Sequence, residues 1–310
     1  MPCTEASDGV RLHYDVFGRR DGEPVLLIQG LGADSRGWMM QRTAVGERYR
    51  GITVDNRGTG RSDKPPGPYS LLQMADDACR VIDAAGYESA HLVGASMGGV
   101  LAQIIAVLQP HRARSLVLAC TACRHEPWRR ELLEEWIAAA AARGMRAFAR
   151  ENARWLIGPR SLRRFWPLFD LLSPLALSAP THAFVAQARA ILDLDDDVRA
   201  ALANISVPTL VIVGSQDILT PVGDSEELAE HVPGAELVVI RGAAHGFMVE
   251  AFRPFNSAVL EFLQRASATG VEAPARSKAV GLIPSPVAAV VNTVATVPAT
   301  LAAMADAIAS

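Results

Sequence analysis

The stretch from His91 to Gln109 constrains the fold of this chain more strongly than any other part of the sequence. The apolar run from His91 to Gly94 predicts a buried strand, and the nearly continuous apolar run from Met97 to Gln109 predicts a buried helix. Between them stands Gly94-Ala95-Ser96-Met97-Gly98, a Gly-x-Ser-x-Gly pattern. The residues two before and two after the serine must be small, because larger side chains would make strand and helix collide. The sequence therefore predicts that Ser96 lies at the tip of a sharp turn with its hydroxyl exposed.

Short apolar runs alternate with longer amphipathic stretches along most of the chain. This pattern is typical of a mostly parallel sheet covered by helices on both faces, whose buried strands are nearly continuous in apolar residues. The runs that fit are Val25 to Gln29, Gly51 to Asp55, His91 to Gly94, Ser115 to Ala119, Thr209 to Gly214 and Leu237 to Ile240. The alternating run from Val10 to Phe17 predicts an antiparallel edge strand. Ser70 to Gly86 predicts an amphipathic surface helix that ends on a glycine.

The segment from Arg124 to about Ala203 contains no strand pattern, although it carries most of the tryptophans. A helical cap inserted between two strands of the sheet is the simplest interpretation. The predicted organisation is a first part of an α/β core (1–123), a helical cap (124–203), a second part of the core (204–268) and a linker with a low-charge tail (269–310).

The tail from Ala279 to Ser310 contains a single charged residue, Asp306. Pro284, Pro286 and Pro298 interrupt it, which disfavours a membrane-spanning helix. A helix packed on the core, on a partner subunit or on a lipid surface is the favoured interpretation. Of these three, contact with a membrane is the least favoured, and the oligomeric state stays open.

Net charge and cysteine content argue against several classes of function. The formal charge of −3 comes from interspersed acids and bases, so no face carries the field that attracts nucleic acid. The four cysteines are too scattered for a disulfide framework. Cys120-x-x-Cys123 has no second pair at zinc spacing, which favours core residues over a metal site, and no cofactor is predicted. The N-terminus lacks the basic and apolar regions of a secretory signal, which predicts a cytoplasmic protein.

A serine hydroxyl is a weak nucleophile, so Ser96 requires a base, and the base requires an acid that orients it. Of the seven histidines, only His245 lies in a loop directly after a predicted strand near the end of the sheet. Asp217 follows the preceding predicted strand and is the candidate acid. Asp224 and Glu226 compete for that role, but both fall at the start of the next helix, where helix capping is the favoured interpretation.

Acyl transfer also needs two backbone N–H groups that stabilise a tetrahedral oxyanion. The residue directly after the nucleophile, Met97, supplies one of them. The other is expected in the loop Gln29-Gly30-Leu31-Gly32 after an early strand, where its position assigns it to Leu31. Glycines suit a loop whose backbone approaches a substrate closely.

Five segments stand in a specific order along the chain: Gln29-Gly30-Leu31-Gly32, Asp55-Asn56-Arg57-Gly58-Thr59-Gly60-Arg61-Ser62, Gly94 to Gly99, Gly214-Ser215-Gln216-Asp217 and Gly242-Ala243-Ala244-His245-Gly246. Over about residues 8 to 266 they resemble the α/β-hydrolase superfamily, and within it bacterial esterases, enol-lactonases and cofactor-free perhydrolases. The resemblance implies an α/β-hydrolase fold, with a mostly parallel central sheet, flanking helices and an inserted helical cap.

The chain departs from the family pattern at Gln29, where many members have a histidine; a backbone oxyanion donor is unaffected by that change. Ser96 distinguishes the chain from epoxide hydrolases and haloalkane dehalogenases, which resemble it but use an aspartate nucleophile.

With Ser96, Asp217 and His245 as a catalytic triad, the leading hypothesis is a serine hydrolase that cleaves a small carboxylic ester with an apolar portion through an acyl-enzyme. The candidates for the wall of an apolar pocket are Trp38, Trp128, Trp136, Trp155 and Trp166. An enol-lactonase acting on a small dicarboxylate and a cofactor-free perhydrolase would use the same triad and stay open. A ligand-binding receptor on the same fold is the alternative from another class, which an intact triad disfavours.

Overall fold

The computed structural model describes residues 2–124, 126–166, 177–194 and 198–268. The strands are β1 (Cys3–Glu5), β2 (Arg11–Gly18), β3 (Pro24–Ile28), β4 (Arg50–Val54), β5 (Ala90–Ala95), β6 (Ala113–Ala119), β7 (Thr209–Gly214) and β8 (Glu236–Ile240). They form an 8-stranded sheet in the order β1-β2-β4-β3-β5-β6-β7-β8. Strand pairs from β4 to β8 are parallel, whereas β2 pairs antiparallel with both β1 and β4. The predicted fold class, a mostly parallel sheet of the α/β-hydrolase type, is confirmed.

Two expectations about the edges of the sheet were wrong. The strand β2 is not an edge strand, because Cys3–Glu5 pairs along its outer side; three residues are too few to show a strand pattern in the sequence. At the other edge, β8 is not buried on both faces: Leu237 is 36% and Val239 is 39% exposed. An outermost strand has a neighbour on one side only, so its apolar sequence does not guarantee burial.

Helices cover both faces of this sheet. Those of the core are α1 (Met39–Gly46), α2 (Leu71–Ala84) and α3 (Met97–Leu108). Every residue of α3 is buried, as its apolar sequence predicted. The helix α2 begins after Ser70, whose side chain accepts the N–H of Gln73 at 3.1 Å, and the chain leaves it through Gly86 at a φ of 90°.

Between β6 and β7, the described residues form helices joined by short irregular stretches. Its helices are α4 (Pro127–Leu156), α5 (Pro159–Phe165), α6 (Thr181–Leu192) and α7 (Val198–Ala201). Gly144, with a φ of 77°, kinks α4, and the aromatic contacts Trp136–Phe148 and Phe148–Phe184 join the two halves of α4 to α6. We refer to α4 to α7 as the cap helices; their standing as a separate subdomain stays a prediction.

After β7 the chain forms α8 (Val222–His231), α9 (Phe247–Glu250) and α10 (Phe252–Ala268). Alternate residues of β3 face two different apolar clusters: Leu26 and Ile28 pack with α2 and α3, whereas Val25 and Leu27 pack on the side of α10. The sheet is thus the central layer between two buried apolar layers. Within the ranges described, no helix is long and apolar enough to cross a membrane. The predicted tail, 269–310, lies outside the described residues.

Candidate active site

The turn between β5 and α3 carries Ser96 in a backbone conformation that side chains rarely adopt, with φ 54° and ψ −120°. The glycines around it are required by space. A Cβ atom on Gly94 would lie 2.2 Å from the carbonyl oxygen of Gly98, and a Cβ atom on Gly98 would lie 2.2 Å from that of Ile28. The prediction that the residues two before and two after the serine must be small is confirmed. Ser96 itself is partly exposed, so the turn presents its hydroxyl at the carboxyl end of the sheet.

Asp217 and His245 lie together in the loops that follow β7 and β8. His245 Nδ1 is 2.8 Å from Asp217 Oδ2, and both residues are 5% exposed. The carboxylate also accepts the backbone N–H groups of Leu219 and Thr220, each at 2.9 Å, and the Thr220 hydroxyl at 2.9 Å. These donors hold the acid in one orientation. Nδ1 of His245 then keeps its proton towards Asp217, which leaves the other ring nitrogen to accept a proton.

Ser96 and His245 line the same cavity, whose volume is about 290 Å³. The rest of its wall is mostly apolar and comes from both the core and the cap helices. Its larger apolar side chains include Leu133, Trp136, Phe148, Leu156, Phe184 and Ile191. A site of this size and composition suits a small molecule with a hydrocarbon portion.

The residues predicted to bind an oxyanion, Leu31 and Met97, also line this cavity. Met97 is the first residue of α3, so its N–H belongs to the group that has no acceptor within the helix. The loop of Leu31 comes close to the nucleophile, since a Cβ atom on Gly30 would lie 3.0 Å from that of Ser96. Gln187 of α6 holds the same loop by accepting the N–H of Gly32 at 2.8 Å.

Of the five candidate tryptophans, Trp136 alone is part of the described cavity wall. The prediction that Trp38 lines the pocket is wrong: its side chain is fully buried and stacks on Phe255 of α10, with ring centroids 6.3 Å apart. The adjacent Gly37 lines the cavity, but the side chain of Trp38 points into the core. Trp128 and Trp155 stack on one another at 6.4 Å, and Trp166 is 42% exposed beside Arg150. Trp128 and Trp166 are exposed on the cap helices, whereas Trp155 is partly buried against the core. The sequence alone does not distinguish a core, pocket or surface tryptophan.

Two charged side chains in the cavity wall escaped the sequence prediction. Arg129 of α4 is 3% exposed and forms an ion pair with Asp224, which the sequence suggested as a helix cap and competing acid. His245 Nδ1 contacts Asp217, not Asp224, and burial raises the pKa of the Asp224 carboxyl to about 6. Glu250 of α9 accepts the N–H of Gly158 through both carboxylate oxygens, at 3.1 and 3.0 Å. No local sequence pattern marks Arg129 among the arginines of the cap helices.

Cys120 lies in the cavity wall, directly after β6, with a positive φ of 41° and no exposed surface. Burial, together with the nearby Asp217 carboxylate, raises the pKa of its thiol well above the usual range. A thiol that stays protonated is a poor nucleophile, so Cys120 fits the predicted role of a small core residue. Cys123 is likewise buried in the apolar core.

Comparison with known proteins agrees with this description. A family model described as "alpha/beta hydrolase fold" matches residues 23–161, and one described as "TAP-like protein" matches residues 193–273. A protein of Azorhizobium caulinodans named "Putative carbamate hydrolase RutD" is 33% identical over 264 residues, covering 84% of this chain and 98% of that protein. The enol-lactonase from Burkholderia xenovorans LB400 superposes with a TM-score of 0.79 at 27% identity, covering 85% and 100% of the two chains. A thermophilic esterase from Thermogutta terrifontis gives a TM-score of 0.78 at 28% identity, covering 86% and 99%.

The sheet, its serine turn and the relatives named as hydrolases define the class: this protein is a hydrolase built on an α/β sheet. More particularly, the chain belongs to the α/β-hydrolase superfamily, as its sequence motifs predicted. The relatives are named for three different bonds, in a carbamate, an enol-lactone and an ester. Membership of the superfamily therefore identifies the protein as a hydrolase, whereas its substrate has to be inferred from the cavity.

Proposed function

We propose that the protein hydrolyses uncharged carboxylic esters with an apolar portion, through an acyl-enzyme on Ser96. One observation carries the proposal: Ser96 and His245, the hydrogen-bond partner of Asp217, line the same largely apolar cavity. A buried acid–histidine pair beside an exposed serine is the arrangement that nucleophilic catalysis at a carbonyl requires. A pure ligand receptor has no need of it, which disfavours the non-enzymatic alternative.

In the proposed reaction the Ser96 hydroxyl attacks the ester carbonyl while His245 Nε2 takes its proton. Asp217 stabilises the imidazolium, and the N–H groups of Leu31 and Met97 bind the oxyanion of the tetrahedral intermediate. The intermediate collapses, the C–O bond to the alcohol breaks, and His245 gives the alcohol its proton. A water molecule then attacks the acyl-serine, His245 again takes the proton, and the carboxylic acid leaves as Ser96 recovers its hydrogen.

Charge in the cavity wall supports an uncharged substrate over a dicarboxylate. Arg129 is the one arginine or lysine in the described wall, and Asp224 already neutralises it. The Glu250 carboxylate also lies in that wall, where it would repel an anionic group. These two observations support an uncharged ester over the dicarboxylate of the enol-lactonase alternative. A perhydrolase would use the same residues, and a carbamate differs from an ester at one atom. Perhydrolysis and carbamate hydrolysis are therefore tested at the same site.

The proposal is tested with p-nitrophenyl esters from acetate to octanoate. The ratio kcat/KM should rise with chain length, by up to about fourfold per methylene, until the cavity is filled. Ser96→Ala should abolish turnover and covalent labelling by a fluorophosphonate, and Asp217→Asn should lower kcat by about 10²- to 10⁴-fold. Asp21→Asn, at an aspartate whose side chain is 73% exposed, is the matched control and should leave kcat unchanged. A wild type that neither labels nor hydrolyses any ester would contradict the proposal.

A pair of substrates of equal length decides between the two leading alternatives. The hexanoate ester ends in a methyl group, and the monoester of adipate ends in a carboxylate. We expect a clear preference for hexanoate in the wild type, and a smaller preference in Glu250→Gln, which keeps an acceptor for the Gly158 N–H but has no charge. A preference for the adipate monoester, or for an enol-lactone, would favour the enol-lactonase. The same assay with a carbamate substrate tests for carbamate hydrolysis, and with peroxide as the acyl acceptor it tests for perhydrolysis.

A further inference from the structure

Arg129 joins a cap helix to the loop that carries the candidate acid. It lies in the first turn of α4, yet its guanidinium reaches into the core and is almost fully buried. Its Nε donates to the carbonyl oxygen of Leu219 at 2.9 Å, and its Nη1 donates to that of Arg124 at 3.0 Å. Its Nη2 pairs with Asp224 at the start of α8. One side chain thus binds three separate segments of the chain.

The contact with Leu219 leads directly to the triad. While its carbonyl accepts from Arg129, the N–H of Leu219 donates to Asp217 Oδ1 at 2.9 Å. The other carboxylate oxygen of Asp217 meets His245 Nδ1 at 2.8 Å. A continuous series of hydrogen bonds therefore runs from the cap helix α4 through the acid loop to the histidine.

Asp224 gives this connection its charge balance. An unpaired guanidinium so close to the acid loop would attract the Asp217 carboxylate away from His245, and burying it without a partner would be costly. The ion pair with Asp224 removes both difficulties. Asp224 and Asp217 are near enough to influence each other electrostatically, so the cation lies in a region shared by two carboxylates.

We propose that Arg129 is a positioning residue for the hydrolysis: through the Leu219 carbonyl it aligns Asp217 with His245, and Asp224 keeps its charge from disturbing that alignment. The proposal rests on the triad of the proposed function and adds to it a residue that does not take part in the chemistry. Its consequence is that the triad is fully aligned only when α4 is seated on the core.

The alternative is that Arg129 merely fastens α4 to the core. Another contact already does that, since the N–H of Gly246 donates to the carbonyl oxygen of Leu156, the last residue of α4, at 2.6 Å. The neighbouring Arg130 donates instead to the Leu192 carbonyl at the end of α6, at 2.9 Å. Arg130 is therefore a matched control: it is the adjacent arginine of the same helix, and its hydrogen bond to Leu192 joins two cap helices and does not reach the acid loop.

The test compares Arg129→Met combined with Asp224→Asn, which leaves no unpaired charge, with Arg130→Met and the wild type. For p-nitrophenyl acetate, too short to need the apolar wall, we expect kcat in the double variant to fall by about 10- to 100-fold with KM within about twofold. Arg130→Met should keep the wild-type kcat. Arg129→Lys should give an intermediate loss, because an ammonium cannot reach the Leu219 carbonyl and Asp224 together. Wild-type kcat in the double variant, or an equal loss in Arg130→Met, would overturn the proposal.

A readout independent of turnover separates this proposal from the proposed function. The strongly deshielded proton between His245 Nδ1 and Asp217 is observable by proton NMR. It should shift or broaden in the double variant and stay unchanged in Arg130→Met, whatever substrate the enzyme takes. An unchanged resonance in the double variant would overturn the positioning role even if activity fell. If the double variant does not fold, as judged by circular dichroism, Arg129→Lys supplies the same two measurements, and wild-type values of both would refute the role.

Discussion

At the scale of single residues, the site depends on backbone atoms that pass unusually close to one another. Ser96 has a positive φ, and the helix that follows it crosses β3 so closely that Gly98 leaves no room for a side chain. The loop of Gly30 approaches the nucleophile in a similar way. The turn that exposes the nucleophile packs directly on the strands beneath it. A methyl group added at one of these glycines would therefore displace the whole turn.

Gly98→Ala should therefore destabilise the protein and remove its activity together. The added Cβ would lie 2.2 Å from the Ile28 carbonyl oxygen, and relieving that overlap requires α3 to move away from β3. We expect a loss of about 1–3 kcal/mol or more in the free energy of unfolding, measured with urea, and a large fall in kcat. Gly223→Ala is the control, because its Cβ would meet nothing within 4 Å. A fully active and stable Gly98→Ala variant would contradict the geometry of the turn.

At the scale of elements, the carboxyl ends of the parallel strands carry the three residues proposed for the triad. Ser96 follows β5, Asp217 follows β7 and His245 follows β8, while the cap helices close the cavity above them. This is the crevice in which open α/β sheets bind their ligands. Two tryptophans that the sequence assigned to the same pocket belong to different parts of the structure: Trp136 lines the cavity, whereas Trp38 packs between the sheet and α10.

Replacing Trp38 should affect mainly stability, and replacing Trp136 should affect mainly KM. Trp38→Ala removes a fully buried side chain and should lower the free energy of unfolding by about 3–5 kcal/mol, while KM for the ester series stays near the wild-type value. Trp136→Ala should raise KM for octanoate by about 3- to 10-fold and leave KM for acetate nearly unchanged. Urea unfolding and the chain-length series measure the two effects. A KM change confined to Trp38→Ala would show that the cavity had been assigned to the wrong aromatic side chain.

At the scale of the whole molecule, the amino ends of the strands carry a polar cluster of their own, opposite the site. Glu23, just before β3, forms an ion pair with Arg114 at 3.0 Å and lies 3.5 Å from His91 Nε2, whose Nδ1 is 2.7 Å from Ser115 Oγ. His91 lowers the pKa of the Glu23 carboxyl from 4.5 to about 2, with smaller contributions from Ser267 and Arg114. The cluster joins β3, β5, β6 and α10, so its charge state bears on stability and not on catalysis.

The Glu23 carboxylate should stabilise the folded protein more at neutral pH than at acidic pH. Its pKa is lower in the folded than in the unfolded chain, so its contribution is complete above about pH 4.5 and is lost as pH falls towards 2. The Tm difference between wild type and Glu23→Gln should be positive at neutral pH and shrink steadily through that acidic range, while kcat stays unchanged. Differential scanning calorimetry across the range measures it. A Tm difference that grows on acidification would reverse the assigned sign.

The local parts of this molecule were predictable from the sequence. Buried strands, the apolar helix α3 and the small residues around Ser96 follow from the side chains of a few consecutive residues, which must satisfy one backbone geometry. The candidate acid and histidine also followed, because each stands directly after a strand and parallel strands bring their carboxyl ends together. The sequence by itself therefore determined the fold class and the identity of the residues proposed for the triad.

Tertiary structure alone decided what depends on contacts between distant parts of the chain. Arg129 binds Leu219 and Asp224 across 90 and 95 residues, and no local pattern distinguishes it from the other arginines of the cap helices. The same holds for Trp38, buried against Phe255, and for β8 at the edge of the sheet, where Leu237 and Val239 are exposed although Ile240 is buried. Burial and pairing are properties of the neighbours that folding brings together. A sequence names the side chain, but only the packed chain determines what that side chain contacts.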